Sequence, residues 1–459
     1  MAKRSNSAFQ RDIEGVVHPY TNLAKHLQTG PMMLERGAGI YVWDDQGKQY
    51  IEGLSGLWCT ALGYGNEELV QVAAEQMRRL PYSHLFASKG HEPAADLAEK
   101  LKEMVPFEAS KVFFTNSGSE ANDTQVKLLW YYNNAVGRPH KKKIISRLKG
   151  YHGVTLAAAS LTGLPVLHES FDLPIAGVLH TDCPHYYRFA ESGESEAEFV
   201  ERLVENLRDL LEREGSETVA AFIAEPVMGA GGVIVPPAGY FEAIQAVLAE
   251  HDIVFIVDEV ICGFGRTGNM FGSETFNIRP GTMSVAKALS SAYLPIGAVL
   301  LPEDMYAPIA EESNRRGVFG HGYTYTGHPV CAAVAKRTLE IYERDAIVAH
   351  VQQVTPQFQK RLRDFGEHPL VGEARGVGLL GACEIVKDKT TKQPFDATAG
   401  VGARCALLAQ EHGLIVRALG DTVAFCPPLI ISADEIDELF DRFARALDGT
   451  LEWVTKEGL

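Results

Sequence analysis

At 459 residues, with 46% hydrophobic and 22% charged side chains, the chain is long and apolar enough for one large domain with a smaller companion. A formal charge of -16 repels phosphate backbones and anionic membrane surfaces, which argues against nucleic acid as a partner, and no run of about 18 apolar residues offers a membrane span. Seven cysteines without a CxxC pair fit neither a disulfide framework nor a zinc ribbon, so a reducing cytoplasm is expected; the opening "MAKRSNSAFQRDIEG" lacks the apolar core of a secretory signal.

In chain order, "GAGIYVWDDQGKQYIEGLSG" alternates like a hairpin with its turn near Asp45, Gln46 and Gly47. From about Lys111 to Leu301, short β-branched runs alternate with helical patterns, as in a parallel sheet with crossover helices. "KVFFTN" reads as a strand, "SEANDTQVKLLWYYNNAV" as a helix and "KKKIISRL" as a strand. "TVAAFIAEP", "AGYFEAIQAVLAEHD" and "IVFIVDE" then form one βαβ unit. Glu225 and Asp258 thus follow two strands at the carboxyl edge of the sheet, where open α/β folds bind ligands. The segment "FAESGESEAE" reads as a solvated surface loop, and "PVCAAVAKRTLEIYERDAIVAHVQQVTPQFQKRLRDF" as one long helical stretch. A few strands and a last helix, "DEIDELFDRFARALDGTLEWV", follow, and the two chain ends are expected to build the second domain together.

Two GxGxxG matches, Gly263 to Gly268 and Gly376 to Gly381, invite a dinucleotide reading. Neither opens a helix: "NMFGSETFNIRPG" follows the first and the strand-like "ACEIV" the second, so both read as turn glycines and a nicotinamide oxidoreductase is disfavoured. "FFTNSGSEAND" has a more productive context. A strand ends at Asn116, and Ser117, Gly118 and Ser119 lead into a helix whose exposed N-H groups suit a phosphate, or equally a plain N-cap closed by Glu120. Lys287 sits among the apolar Val285, Ala286, Ala288 and Leu289. Burial there would lower its pKa and free its amine for Schiff-base chemistry, although a lone lysine is ordinarily a surface charge. An anion cradle, a carboxylate at a buried strand end and a desolvated lysine match the three handles of pyridoxal 5'-phosphate: phosphate to the helix, ring nitrogen to Asp258, aldehyde to Lys287.

The ordered set "NSGSEAN", "YHG", "AEPV", "VDEVICGFGRTG", "VAKAL", "TYTGHP" and "VRALGD" resembles the class III aminotransferases, pyridoxal phosphate enzymes of fold type I, and among them the bacterial amine:pyruvate or omega transaminases. The resemblance implies an α/β fold with a mostly parallel sheet flanked by helices, and a smaller α+β domain formed by both chain ends. Residues 1–60 and 331–459 would make the small domain and residues 61–330 the large one. It implies phosphate binding by Gly118 and Ser119, Tyr151 and His152 against the cofactor, Asp258 on the ring nitrogen, Val260 and Ile261 packed on the ring and the substrate edge, and Lys287 as covalent lysine and proton shuttle. Thr324 would reach the phosphate of a neighbouring subunit, so a complete site needs a homodimer, with a tetramer left open. Arg417 takes the place of a mobile arginine that grips the carboxylate of pyruvate. Glu225 would pair with Arg417 or order the cofactor region. Tyr20, Leu57, Trp58, Phe86 of the partner subunit, Tyr151, Ala230 and Tyr323 complete a pocket roomy enough for bulky apolar amines; Trp58, in a glycine-rich loop, has no evident core to enter from its own segment.

The implied reaction moves an amino group from a primary amine or omega-amino acid to pyruvate, giving alanine, by a ping-pong route through pyridoxamine phosphate. A decarboxylase or racemase of the same fold type, or a transaminase dedicated to taurine, β-alanine or a polyamine, stays open. A cofactor-holding regulator without activity is disfavoured, because no DNA-binding domain fits before the first motif.

Overall fold

The computed structural model describes residues 7–459. Near the start, β1 (Leu34–Ala38), β2 (Tyr41–Asp44) and β3 (Gln49–Glu52) form an antiparallel meander. The β2–β3 turn falls where Asp45, Gln46 and Gly47 predict it, with Gly47 at φ +82°.

Seven strands then make the central sheet: β4 (Lys111–Thr115), β5 (Lys143–Arg147), β6 (Val178–Thr181), β7 (Val219–Ala224), β8 (Val254–Asp258), β9 (Thr282–Val285) and β10 (Gly297–Leu301), in the spatial order β4-β10-β9-β8-β7-β5-β6. The five strands from β9 across to β6 run parallel, whereas β10 is antiparallel to both β9 and β4. The sheet is thus mostly parallel, as expected, with β10 alone running against its neighbours. Alternation of side chains gives each strand an apolar residue on both faces but does not encode strand direction.

Both faces are packed accordingly. Phe222, Phe255 and Val257 meet the helices Glu196–Glu214 and Tyr240–Glu250 through Leu203, Leu207, Phe241 and Ile244. Ala221, Ile223 and Ile256 point the other way, toward Val126, Leu128 and Leu129 of the helix Gly118–Ala135. The acidic segment expected as loop ends early, because Ser195 and Glu198 form a capping box that starts the 19-residue helix Glu196–Glu214.

Beyond the sheet, the long helical stretch is two helices, Pro329–Arg344 and Ile347–Asp364, divided at Ala346, which adopts φ +49°. No glycine or proline marks that break, so the sequence reads straight through it. The last sheet holds β11 (Val371–Val377) and β12 (Leu380–Ile385), then, after β13 (Leu414–Ile415), β14 (Arg417–Leu419) and β15 (Thr422–Phe425), in the order β11-β12-β15-β14. β13 instead pairs in parallel with β3, Leu414 beside Ile51, which joins the two ends of the chain. The helix Ala433–Glu457 closes the molecule, buried along Leu439, Phe440, Phe443 and Leu447. No helix among the described residues is long and apolar enough to cross a membrane.

Candidate active site

Two neighbouring strands deliver the central pair. Asp258 is the last residue of β8, and Lys287 stands two residues past β9; the strands are parallel, with Asp258 in register with Ser284. Their carboxyl ends therefore open side by side into one cavity of about 400 Å³. Gly118, Ser119, Tyr151, His152, Glu225, Val260 and Ile261 line the same cavity with Asp258 and Lys287. The backbone at Lys287 is in the left-handed region, φ +49°, uncommon for a residue with a Cβ and typical of positions where a side chain must be aimed. Burial pushes its amine below the ordinary lysine value, with the Asp258 carboxylate pulling the other way.

Asp258 is held from three sides. Its Oδ2 accepts from Asn122 Nδ2 at 2.8 Å and pairs with His152 Nδ1 at 2.8 Å, while Oδ1 accepts from the Val260 N-H at 3.1 Å. Asn122 Nδ2 also donates to the His152 carbonyl at 2.7 Å. Sequence reasoning missed this role of Asn122. The signal was its i+4 spacing from Gly118, which puts both on one face of the helix.

At the start of that helix the expected N-cap is formed. Ser117 Oγ caps the Glu120 N-H at 3.1 Å, and Glu120 reaches back to the Asn116 N-H at 2.7 Å. The N-H groups of Gly118 and Ser119 remain without intrahelical acceptors at the cavity wall. The wall is built close: a Cβ at Gly118 would meet Val260 at 3.0 Å, and one at Gly153 would meet Ser119 Oγ at 2.5 Å. Free N-H groups at this wall suit an anion such as a phosphate, and the Asp258 carboxylate and Lys287 amine on the same cavity suit a ring nitrogen and an aldehyde.

Of the two roles expected of Glu225, the pair with Arg417 is not formed and its contacts are to loops beside the cavity. Its Oε1 accepts from the Tyr151 N-H at 2.9 Å and its Oε2 from the Gly229 N-H at 3.0 Å, so it ties together two loops beside the cavity. Arg147, fully buried, donates to the Glu225 carbonyl at 2.6 Å. The second carboxylate of the "VDEV" run has a separate task. Glu259 accepts from the Gly272 N-H at 3.0 Å and the Ser273 N-H at 2.6 Å, holding the single helical turn Gly272–Thr275 that "NMFGSETF" forms. Burial pushes its carboxyl up to about 7 despite those donors.

The remaining predicted residues stand outside the cavity wall. Tyr20 OH lies 3.4 Å from Tyr151 OH, and the Arg417 guanidinium is 5.8 Å from the centre of the Tyr20 ring, so these three form one cluster that meets the cavity wall at Tyr151. Leu57 and Phe86 are exposed, as is Thr324, and Ala230 is half-buried. Tyr323 turns its hydroxyl to Thr124 Oγ1 and the Glu120 carbonyl, both at 3.2 Å, on the flank of the helix. Trp58 does have a core to enter: it is 2% exposed, in a cluster with Leu54, Val227, Ile261, Cys262, Ala424 and Cys426. Apart from Leu54, that core comes from loops and strand β15 far along the chain, which a reading of its own segment cannot supply. Both GxGxxG matches are turns. Gly265 and Gly268 have φ +103° and +95°, and Gly378, φ +58°, sits in the β11–β12 hairpin.

The sequence profile of "Aminotransferase class-III" matches residues 23–447. The chain is 52% identical over 443 residues to "Gamma-aminobutyrate transaminase 1, mitochondrial" of Oryza sativa subsp. japonica, covering 96% of this chain and 86% of the relative. The crystal structure of the omega transaminase from Pseudomonas jessenii in complex with PMP is 55% identical with a TM-score of 0.97, over 98% of this chain and 99% of that one. A solved transaminase with L-ala is 54% identical with a TM-score of 0.91, over 92% of this chain and all of that one. The chain belongs to the class-III aminotransferases, enzymes of fold type I that work with pyridoxal 5'-phosphate.

Proposed function

We propose that the enzyme transfers an amino group from a primary amine or omega-amino acid to pyruvate or a similar oxo acid, with Lys287 and Asp258 as its central residues. The observation that carries this reading is the pair itself: a buried lysine and a carboxylate on adjacent strand ends, facing one cavity whose far wall is a helix N-terminus. Bound pyridoxal 5'-phosphate supplies an electrophilic aldehyde and a ring that accepts electrons. Gly118 and Ser119 bind its phosphate, joined by Thr324 of a second subunit. Asp258, oriented by Asn122 and His152, holds a proton at the ring nitrogen. Lys287 Nζ, its amine favoured by burial, moves the proton at the substrate carbon. Arg417 binds the carboxylate of the oxo acid, and Tyr20 stacks beside it.

Two donor classes have support. The omega transaminase relative favours simple amines; the γ-aminobutyrate transaminase relative favours a donor with its own carboxylate, which Arg417 would hold in turn. The relative solved with L-ala favours alanine as the product from pyruvate. Homodimerisation is proposed from the large apolar side chains that one chain leaves exposed, Leu57, Tyr82, Phe86 and Tyr325 among them. Seven unpaired cysteines support a reducing compartment, the cytoplasm.

The test is the visible absorbance of the loaded enzyme, followed after addition of an amine without oxo acid and again after pyruvate. Bleaching by 1-phenylethylamine or γ-aminobutyrate and recovery with pyruvate is expected, and the faster donor identifies the class. Bleaching that pyruvate does not reverse would sink the reading.

A further inference from the structure

Away from the cavity, the N-terminal arm gathers three side chains that the reaction does not use. Asp12 lies on the helix Ala8–Gly15, His26 on the helix Leu23–Thr29, and His18 on the segment between them. His18 Nε2 is 2.7 Å from Asp12 Oδ1, and His26 Nε2 is 3.6 Å from the same oxygen. All three ligand atoms lie within 4.8 Å of one another.

A histidine–aspartate hydrogen bond accounts for His18 alone. His26 is the unexplained member: its side chain is 8% exposed, its Nε2 is buried with no hydrogen-bond partner, and at 3.6 Å it is too far from Asp12 Oδ1 to make one. The two imidazole rings lie with centres 4.1 Å apart, tilted by 33°. Two imidazole nitrogens and a carboxylate oxygen converging on one point form the donor set of a borderline-soft divalent cation. Zinc with bonds of roughly 2.0–2.1 Å needs tetrahedral ligand atoms about 3.3 Å apart, and the observed 2.7 and 3.6 Å straddle that value.

We propose that Asp12, His18 and His26 bind a divalent cation of the Zn²⁺ class, with water in the remaining position. The cation would clasp the two arm helices together. Between His18 and His26 the chain passes through Tyr20, at φ +51°, whose hydroxyl meets Tyr151 and whose ring faces Arg417. Occupancy therefore fixes the arm that meets the cavity wall at Tyr151, without supplying a group to the reaction.

The test uses untagged, metal-stripped holoenzyme titrated with Zn²⁺ in competition with a chromophoric chelator. One zinc per chain is expected, with affinity lowered at least about tenfold in H26Q and in D12N. Melting temperature should rise with Zn²⁺ in the native protein and stay flat in both variants. Their metal-free melting temperature and metal-free activity should match the native protein, which separates a lost ligand from a damaged fold. His18→Gln, at a more exposed position, provides a third check should H26Q fail to fold. Zinc uptake of equal affinity in the variants, or none in the native protein, would overturn the site.

Discussion

Arg417 stands 5.8 Å from the Tyr20 ring, with no salt bridge to Glu225 to hold it in place, so its guanidinium is available to a carboxylate. A charge-assisted pair of that kind is worth about 1.5–3 kcal/mol. Arg417→Ala should raise the KM for pyruvate about 10–100-fold and leave bleaching by a carboxylate-free amine unchanged. Separate measurement of the two half-reactions checks this, and an equal loss in both would argue for a structural role. Glu52, at the end of β3, poses a different question, because burial pushes its carboxyl from 4.5 up to about 7 while Oε1 accepts only from the near chain, the Leu54 N-H at 3.1 Å among them. The folded protein then holds a proton that the unfolded chain releases near 4.5. Its favourable contribution is complete below that value and is lost as pH rises through about 7. Glu52→Gln, neutral at every pH, should gain on the native protein by up to about 3 kcal/mol between about pH 5 and about pH 8. Urea midpoints across that range test it; parallel curves for the two proteins would rule it out.

The helix Gly118–Ala135 contributes twice to the site, through its first turn and through Asn122 one turn on. Its position depends on the loop at Gly153, where φ is +134° and an added methyl group would meet Ser119 Oγ at 2.5 Å. Gly153→Ala should push Ser119 off the Val154 N-H, which it now accepts at 3.1 Å, and weaken cofactor binding by roughly tenfold or more. Titration of the stripped enzyme with pyridoxal 5'-phosphate measures this, and unchanged affinity would show that the cradle is looser than its contacts suggest. Strand β7 is buried along its whole length, with Phe222 packed on Phe255 at 5.7 Å between ring centres. Phe222→Ala should cost about 3–5 kcal/mol in denaturant unfolding without moving any residue of the cavity wall.

At the scale of the molecule, the exposed Leu57 and Phe86 are large apolar residues left to solvent by a single chain. A second copy would remove them from water, and Phe86→Asp should shift the protein toward monomer in sedimentation and lower activity in proportion. A monomeric native protein of full activity would dispose of the shared site. The strand and helix pattern and the strand-end positions of Asp258 and Lys287 are legible in the sequence, because hydrophobic period and strand ends are local properties, whereas the pairing of β8 with β9 is not. Nor is what surrounds those residues. The contacts that orient Asp258 span 136 residues to Asn122 and 106 to His152, and nothing in either segment names the other. The same holds for the loop contacts of Glu225, for the buried core around Trp58, and for β10, which runs antiparallel to both its neighbours. Asp12, His18 and His26 match no metal-binding spacing; only the turn between two short helices brings them together. The sequence by itself determined which chemistry the chain carries, since residue type and period suffice for that. The tertiary structure alone decided which groups hold it in place, since packing over long separations sets their neighbours.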